Sequence, residues 1–226
     1  MKILCVADHI DPLVYSPNVK QRFSDVELVI SAGDLPMRYL GFLSSSFNKP
    51  VVFVFGNHNL DNFHRFKKRP AIASSNPAGD PVETNYFGST SAEDRMVKVK
   101  DLLILGLGGS RRYNKGEHQY TEFQMFTRML RKVPRLLWNK LIHGRYLDIL
   151  LTHASPYGIH DKADACHMGF KSFLWFMDKF KPTYLLHGHI HLYDLNAQRE
   201  TRYNGTTVIN VYDHYILDTE ERQAHG

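Results

Sequence analysis

Five short apolar runs recur along the chain, and each ends in a polar residue able to hold a metal ion. Residues 2–7 lead into Asp8, residues 26–32 into Gly33 and Asp34, and residues 51–55 into Gly56, Asn57 and His58. Residues 147–152 lead into His153, and a last run ends in His187, Gly188, His189, Ile190 and His191. Short, β-branched and aliphatic runs of this kind read as buried strands. Residues 121–142 carry Phe123, Phe126, Met129, Leu130, Val133, Leu136, Leu137 and Leu141 at spacings of three and four, the pattern of an amphipathic helix, interrupted by Pro134. Its Arg128, Arg131, Lys132, Arg135 and Lys140 are expected to face water. Residues 169–180 repeat the helical spacing with Phe170, Phe173, Leu174 and Met177, ending before Pro182. Strands interleaved with helices predict an α/β fold.

The 226 residues suffice for one large α/β domain, and a single domain over 1–226 is expected. The stretch 67–85, rich in Pro, Ala, Ser and Gly, reads as a long loop inside that domain, because the pattern continues on both sides of it. Cys5 and Cys166 have no C-x-x-C spacing, which argues against a disulfide framework or a zinc knuckle. The first residues lack a signal-like apolar region, and no run approaches the ~18 apolar residues that cross a bilayer. A cytoplasmic protein without a membrane partner is expected. The formal net charge of +5 favours anionic partners in general. The cations of 121–142 read either as a nucleic-acid patch or as a solvated helix face, and the second reading is favoured.

Asp, Asn and Gly are ordinary turn residues, so any one run could end in a plain turn. Five in succession carrying metal-compatible groups point to chemistry, because α/β folds place it on loops at strand ends. On an extended backbone His189 and His191 share a face, and Gly188 allows a turn or a close approach.

In order, Asp8, Gly33-Asp34, Gly56-Asn57-His58, His153 and Gly188-His189-Ile190-His191 resemble the five-block signature of the calcineurin-like metallophosphoesterases. The segments 105–110 and 151–158 and the Lys181-Pro182 pair echo it. The resemblance implies two packed mixed β-sheets flanked by helices, a four-layer sandwich with metals at one end. It implies two divalent cations, Mn or Fe before Zn or Ni, one held by Asp8, Asp34 and His191 and the other by Asp34, Asn57, His153 and His189. Asp34 is the bridge. A hydroxide shared by the cations would be the nucleophile, and His58 would stabilise the transition state or protonate the leaving oxygen.

One ligand block departs from the pattern. The family's first block is D-x-H, and here Ile10 stands where the histidine belongs. Whether His9 or Asp11 takes its place is open, and without either the first cation has three protein ligands. Asn59 stands where many members carry an acidic residue. His187 is read as a ligand or as a residue orienting one. Arg111 and Arg112 are read as phosphate-binding or as surface residues, and His160, Asp161, Cys166 and His167 have no assigned role. The expected function is metal-dependent hydrolysis of a small phosphodiester or phosphomonoester. The alternatives are a non-catalytic metal-binding scaffold and a nuclease-type member acting on nucleic acid; the oligomeric state is open.

Overall fold

All five apolar runs are strands, and within each sheet they run parallel. A computed structural model describes residues 1–66, 85–194 and 196–220; the loop expected at 67–85 lies outside the described residues apart from Asn85. The first sheet contains β1 (Lys2–Ala7), β2 (Val26–Ser31), β3 (Val51–Phe53), β4 (Asn85–Tyr86), β5 (Ser89–Ser91) and β14 (Asp213–Asp218), in the order β14-β1-β2-β3-β5-β4. The second contains β6 (Met96–Val99), β7 (Leu102–Leu107), β10 (Ile149–Thr152), β11 (Tyr184–His187), β12 (Glu200–Tyr203) and β13 (Thr206–Asn210), in the order β12-β13-β11-β10-β7-β6. In both, the four inner strands are parallel and the two edges antiparallel. A small parallel ribbon, β8 (Ser110–Arg111) with β9 (Gln119–Tyr120), follows β7.

Alternation along the strands sorts the core into layers. Ile3, Cys5, Leu28, Ile30 and Val52 meet Ile104, Ile149, Leu151, Leu186 and Ile209 between the sheets. Leu4, Val6, Val29, Val51 and Phe53 point the other way, under α1 (Val19–Arg22) and α2 (Met37–Phe47). Leu103, Leu105, Leu150, Leu185 and Val208 form the outer face of the second sheet, covered by α3 (Glu122–Leu130), α4 (Val133–His143) and α5 (Lys171–Phe180). The result is the four-layer α/β sandwich. Because β1, β2, β3, β10 and β11 are parallel strands, their polar exits collect at one end of the two sheets.

The helical stretch 121–142 divides in two. α3 begins on a capping box in which Thr121 accepts the Gln124 N–H and the Gln124 side chain accepts the Thr121 N–H. Pro134 lies in the first turn of α4, where its missing N–H costs nothing. Two expectations fail here. Arg128 is not in water; it is 5% exposed, because Glu93 and Asp94 wait beneath it. The apolar stripe is also not uniformly buried. Met129 and Leu136 are covered, whereas Phe123 and Leu130 on α3 and Leu137 and Leu141 on α4 are exposed, the two helices being separated at 131–132. The second expected helix is α5, which starts at Lys171 and stops at Lys181 in a left-handed conformation just before Pro182. Among the described residues no helix is long and apolar enough to cross a membrane.

Candidate metal centre

Three of the proposed ligands leave their strands through a left-handed backbone: Asp8 at φ 66°, Asp34 at φ 57° and His189 at φ 66°. Asp, Asn and His tolerate this region better than bulky or β-branched residues, so the residue types that bind metals also make the bend. Two glycines permit the close approach that follows. A Cβ on Gly56 would stand 2.0 Å from Asp34 Oδ1, and one on Gly188 would stand 2.5 Å from Asp8 Oδ2.

Asp34, His153 and His189 bring ligand atoms within 4.8 Å of one another. Each is aimed by a second bond. His153 Nδ1 donates to the Ala32 carbonyl at 2.8 Å, which leaves Nε2 facing the cluster, 3.4 Å from Asp34 Oδ2 and 3.1 Å from Asn57 Oδ1. His189 Nε2 donates to the Cys166 carbonyl at 2.8 Å, leaving Nδ1 for the site. The His58 N–H donates to Asp34 Oδ1 at 2.7 Å, and Asn59 Nδ2 donates to the Asp34 carbonyl at 2.7 Å. Asn57 Nδ2 donates to the Tyr113 hydroxyl at 3.2 Å, and this turns Oδ1 toward His153.

The electrostatics follow from packing carboxylates and imidazoles together in a buried place. Burial pushes the Asp8 carboxyl up to about 7, with Asp34 adding to the rise and His153 opposing it. Burial also works to raise Asp34, but the charge and hydrogen bond of His153 and the His58 N–H outweigh it and hold the carboxyl well below its usual range. Burial works to lower His153, and the Asp34 carboxylate beside it outweighs this and lifts it to about 9. His189 is pushed down to about 3 by burial and by the positive charge of His153. A protonated His153 between Asp34 and Asp8 is a positive charge in the place where a cation fits. The donor set of imidazole, carboxylate and amide oxygen suits Mn, Fe, Zn or Ni.

The other proposed ligand set is less assembled. Asp8 accepts the His189 N–H with both oxygens, at 3.0 and 2.9 Å, and together with His191 it stays outside the 4.8 Å cluster. The shared face expected for His189 and His191 fails because β11 ends at His187 and the turn at His189 breaks the alternation. His191 Nδ1 instead meets the Tyr193 hydroxyl at 2.9 Å, its ring 4.9 Å from that of Tyr212. Neither neighbour replaces the histidine missing at Ile10. His9 pairs with Asp213 at 2.8 Å, Asp11 pairs with His214, and Ile10 packs against the helix-side core.

His58 presents an exposed side chain at the mouth. His187 is fully buried and pairs with His160 Nδ1 at 3.0 Å, apart from the ligand cluster. Arg111 donates to the Gly169 carbonyl at 3.4 Å, and Arg112 to the Gln119 carbonyl at 3.2 Å and Gln124 Oε1 at 3.1 Å. Asp161 holds the Gly158 and Gly169 N–H groups, and His167 pairs with Asp164.

Two features carried no sequence signal. Tyr113 reaches Asn57 from the loop after β8. Glu93, buried beside β3, accepts the Phe55 N–H at 3.2 Å, Arg128 Nη2 at 2.6 Å and His118 Nε2 at 3.2 Å, while His118 Nδ1 bonds the Gly56 carbonyl at 2.6 Å. This network fixes the two residues just before Asn57.

Comparison with known proteins bears on the fold and the family. No curated protein matches the chain. Among solved structures, the protein TT1561 of Thermus thermophilus has a TM-score of 0.61 at 12% identity, covering 98% of this chain and 95% of its own. A second structure has a TM-score of 0.61 at 13% identity, with 97% and 95% covered. A structure described as a novel archaeal phosphodiesterase has a TM-score of 0.42 at 15% identity, with 98% and 95% covered. The likeness to the first two is one of fold. The model of the calcineurin-like phosphoesterase family matches residues 1–193, and with its strand exits gathered into one cleft the chain belongs to that family.

Proposed function

We propose that this chain, acting as one metallophosphoesterase domain, is a metal-dependent hydrolase of a phosphodiester or phosphomonoester. The observation that carries the reading is the convergence of Asp34, His153 and His189 within 4.8 Å, with the Asn57 amide oxygen 3.1 Å from His153 Nε2. One divalent cation would be held by Asp34, Asn57, His153 and His189. A second would be held by Asp8, Asp34 and His191, more weakly because Ile10 supplies no ligand. Mn or Fe is proposed before Zn or Ni, from a set of nitrogen and oxygen donors without a thiolate. Bound cations supply Lewis acidity, lowering the pKa of water and offsetting charge on phosphoryl oxygens.

The chain's own residues do the rest. The His58 N–H and the Asn59 amide hold Asp34 in place, and the exposed His58 imidazole is free to meet a leaving oxygen at the mouth. Tyr113 orients Asn57. Metal-stripped protein resupplied with Mn²⁺ is expected to hydrolyse bis-p-nitrophenyl phosphate or p-nitrophenyl phosphate, and Asp34→Ala to lose that activity while staying folded. Activity that survives both metal removal and Asp34→Ala would overturn the proposal. A wild type that binds Mn²⁺ and hydrolyses neither substrate would favour the binding scaffold, the reading that Ile10 supports.

A further inference from the structure

α4 buries one face and leaves an apolar one in the open. Leu136 and Asn139 are buried against the second sheet's outer layer. On the opposite side Leu137, Trp138, Leu141 and Ile142 are 54, 55, 78 and 55% exposed. At 100° per residue these four and Pro134 form one outward stripe, with Arg135 on one flank and Lys140 on the other. A helix whose sequence serves only one core would carry polar residues here.

From this stripe and its charges we propose that α4 docks the protein on an anionic lipid surface. The charge pattern selects the occupant. The segment Val133–His143 contains no acidic residue. Nearby carboxylates are already engaged, Asp94 with Arg128 and Lys132, and Asp148 with Arg145. Among the described residues no carboxylate pairs with the exposed Arg131, Arg135 or Lys140; Lys140 bonds the Gly144 carbonyl on its own helix end and stands 5.6 Å from the centre of the Tyr146 ring. An apolar ridge flanked by cations without carboxylate partners and carrying a tryptophan matches helices that lie in the headgroup boundary. A second copy of the chain fits poorly, because α4 against α4 would bring together cations with no acid between them. The ridge also offers four large side chains, where a stable dimer buries roughly 20 to 30 residues a side. The sequence-based expectation of no membrane partner rested on the lack of a spanning run, which a helix lying on the surface does not need.

The test is flotation of the full chain with phosphatidylcholine vesicles, alone and mixed with phosphatidylglycerol. Trp175→Phe leaves Trp138 as the one remaining tryptophan of the two, and brominated acyl chains then report its depth. Three such cations lead to an expected partition roughly a hundredfold stronger on the anionic vesicles. Trp138 should be quenched there. Leu137→Gln with Leu141→Gln should abolish flotation at an unchanged unfolding midpoint, because only exposed side chains are altered, and Arg131→Gln with Arg135→Gln should reduce the preference for anionic lipid with the fold retained in circular dichroism. Failure to float, equal binding to neutral vesicles, or anionic binding that survives the leucine substitutions would each overturn the proposal. So would a concentration-dependent dimer in sedimentation equilibrium that Leu141→Gln dissolves, which would give the face to a second copy.

Discussion

Arg128→Met tests whether the buried charge on Glu93 fixes the end of β3. The two residues are 5 and 7% exposed and lie 2.6 Å apart. Methionine keeps much of the apolar stem and removes the guanidinium, so Glu93 retains only His118 and the Phe55 N–H, and the Gly108 carbonyl loses its donor at 2.8 Å. Breaking a buried ion pair by deleting one partner costs about 3 to 5 kcal/mol. Loss of the Asp94 contact adds little, because that carboxylate is 43% exposed and water replaces the guanidinium. Against a total stability of about 5 to 15 kcal/mol, the single variant should be severely destabilised in urea unfolding. Pairing it with Glu93→Leu removes the stranded charge, leaving unmet donors on Phe55 and His118 at about 1 to 3 kcal/mol. The cycle over both singles and the double should therefore give a coupling of about 2 kcal/mol or more. A cost for Arg128→Met under about 1 kcal/mol, or singles that add to within ~0.5 kcal/mol, would refute the reasoning.

Three further outcomes follow from the same geometry. Metal-free protein should lose stability as pH rises from 6.5 to about 9, because folded His153 keeps until about 9 a proton that the unfolded chain releases near 6.5. Asp8, raised to about 7, acts in the same direction from about pH 3.8 to 7 and offsets one of the two histidines that act below 6.5. Below pH 6.5, His187 and His189, pushed by burial to about 3, act in the opposite direction, so the thermal midpoint in EDTA should peak near pH 6.5; a midpoint still rising between pH 7 and 9 would count against the His153–Asp34 pairing. Gly188→Ala places a Cβ 2.5 Å from Asp8 Oδ2, and calorimetric Mn²⁺ titration should weaken by about tenfold or more with the circular dichroism spectrum unchanged. Ile10→His should leave that titration unaltered and cost about 1 to 2 kcal/mol in unfolding, since Ile10 faces the helix-side core; tighter metal binding would show that the position reaches the site.

The layers of the fold were legible because burial on both faces makes strands continuous apolar runs, which marked β1, β2, β3, β10 and β11. The edge strands were not, since β4, β6 and β12 are short or half-exposed and their residues follow no such pattern. The stretch 121–142 misled for a related reason. Periodicity reports which residues could share a face, and after the break at 131–132 the face of α4 that meets the sheet holds Leu136 and Asn139 while Leu137 and Leu141 look outward.

At the proposed site, residue types suggested candidate ligands and left their aim unspoken. Asp34, Asn57, His153 and His189 stand beside glycines and strand ends, which is a local pattern. What orients them is not local: Ala32 for His153, the Cys166 carbonyl for His189, Tyr113 for Asn57, and Glu93 with His118 for the backbone leading to Asn57. Each joins positions more than 20 residues apart and uses a backbone carbonyl or a common polar side chain, so nothing in the sequence singles it out. The same distinction separates the two proposed ligand sets. His153 and His189 each have one ring nitrogen tied off and the other left for the cluster. His191 spends its Nδ1 on Tyr193, and Asp8 spends both oxygens on the His189 N–H. In the proposed two-cation reading, a cation there would share Asp8 with a hydrogen bond that also shapes the turn holding His189. On that reading one backbone N–H links the two positions, and the position short of a ligand at Ile10 would fill after the other, giving a metal stoichiometry that rises in two steps.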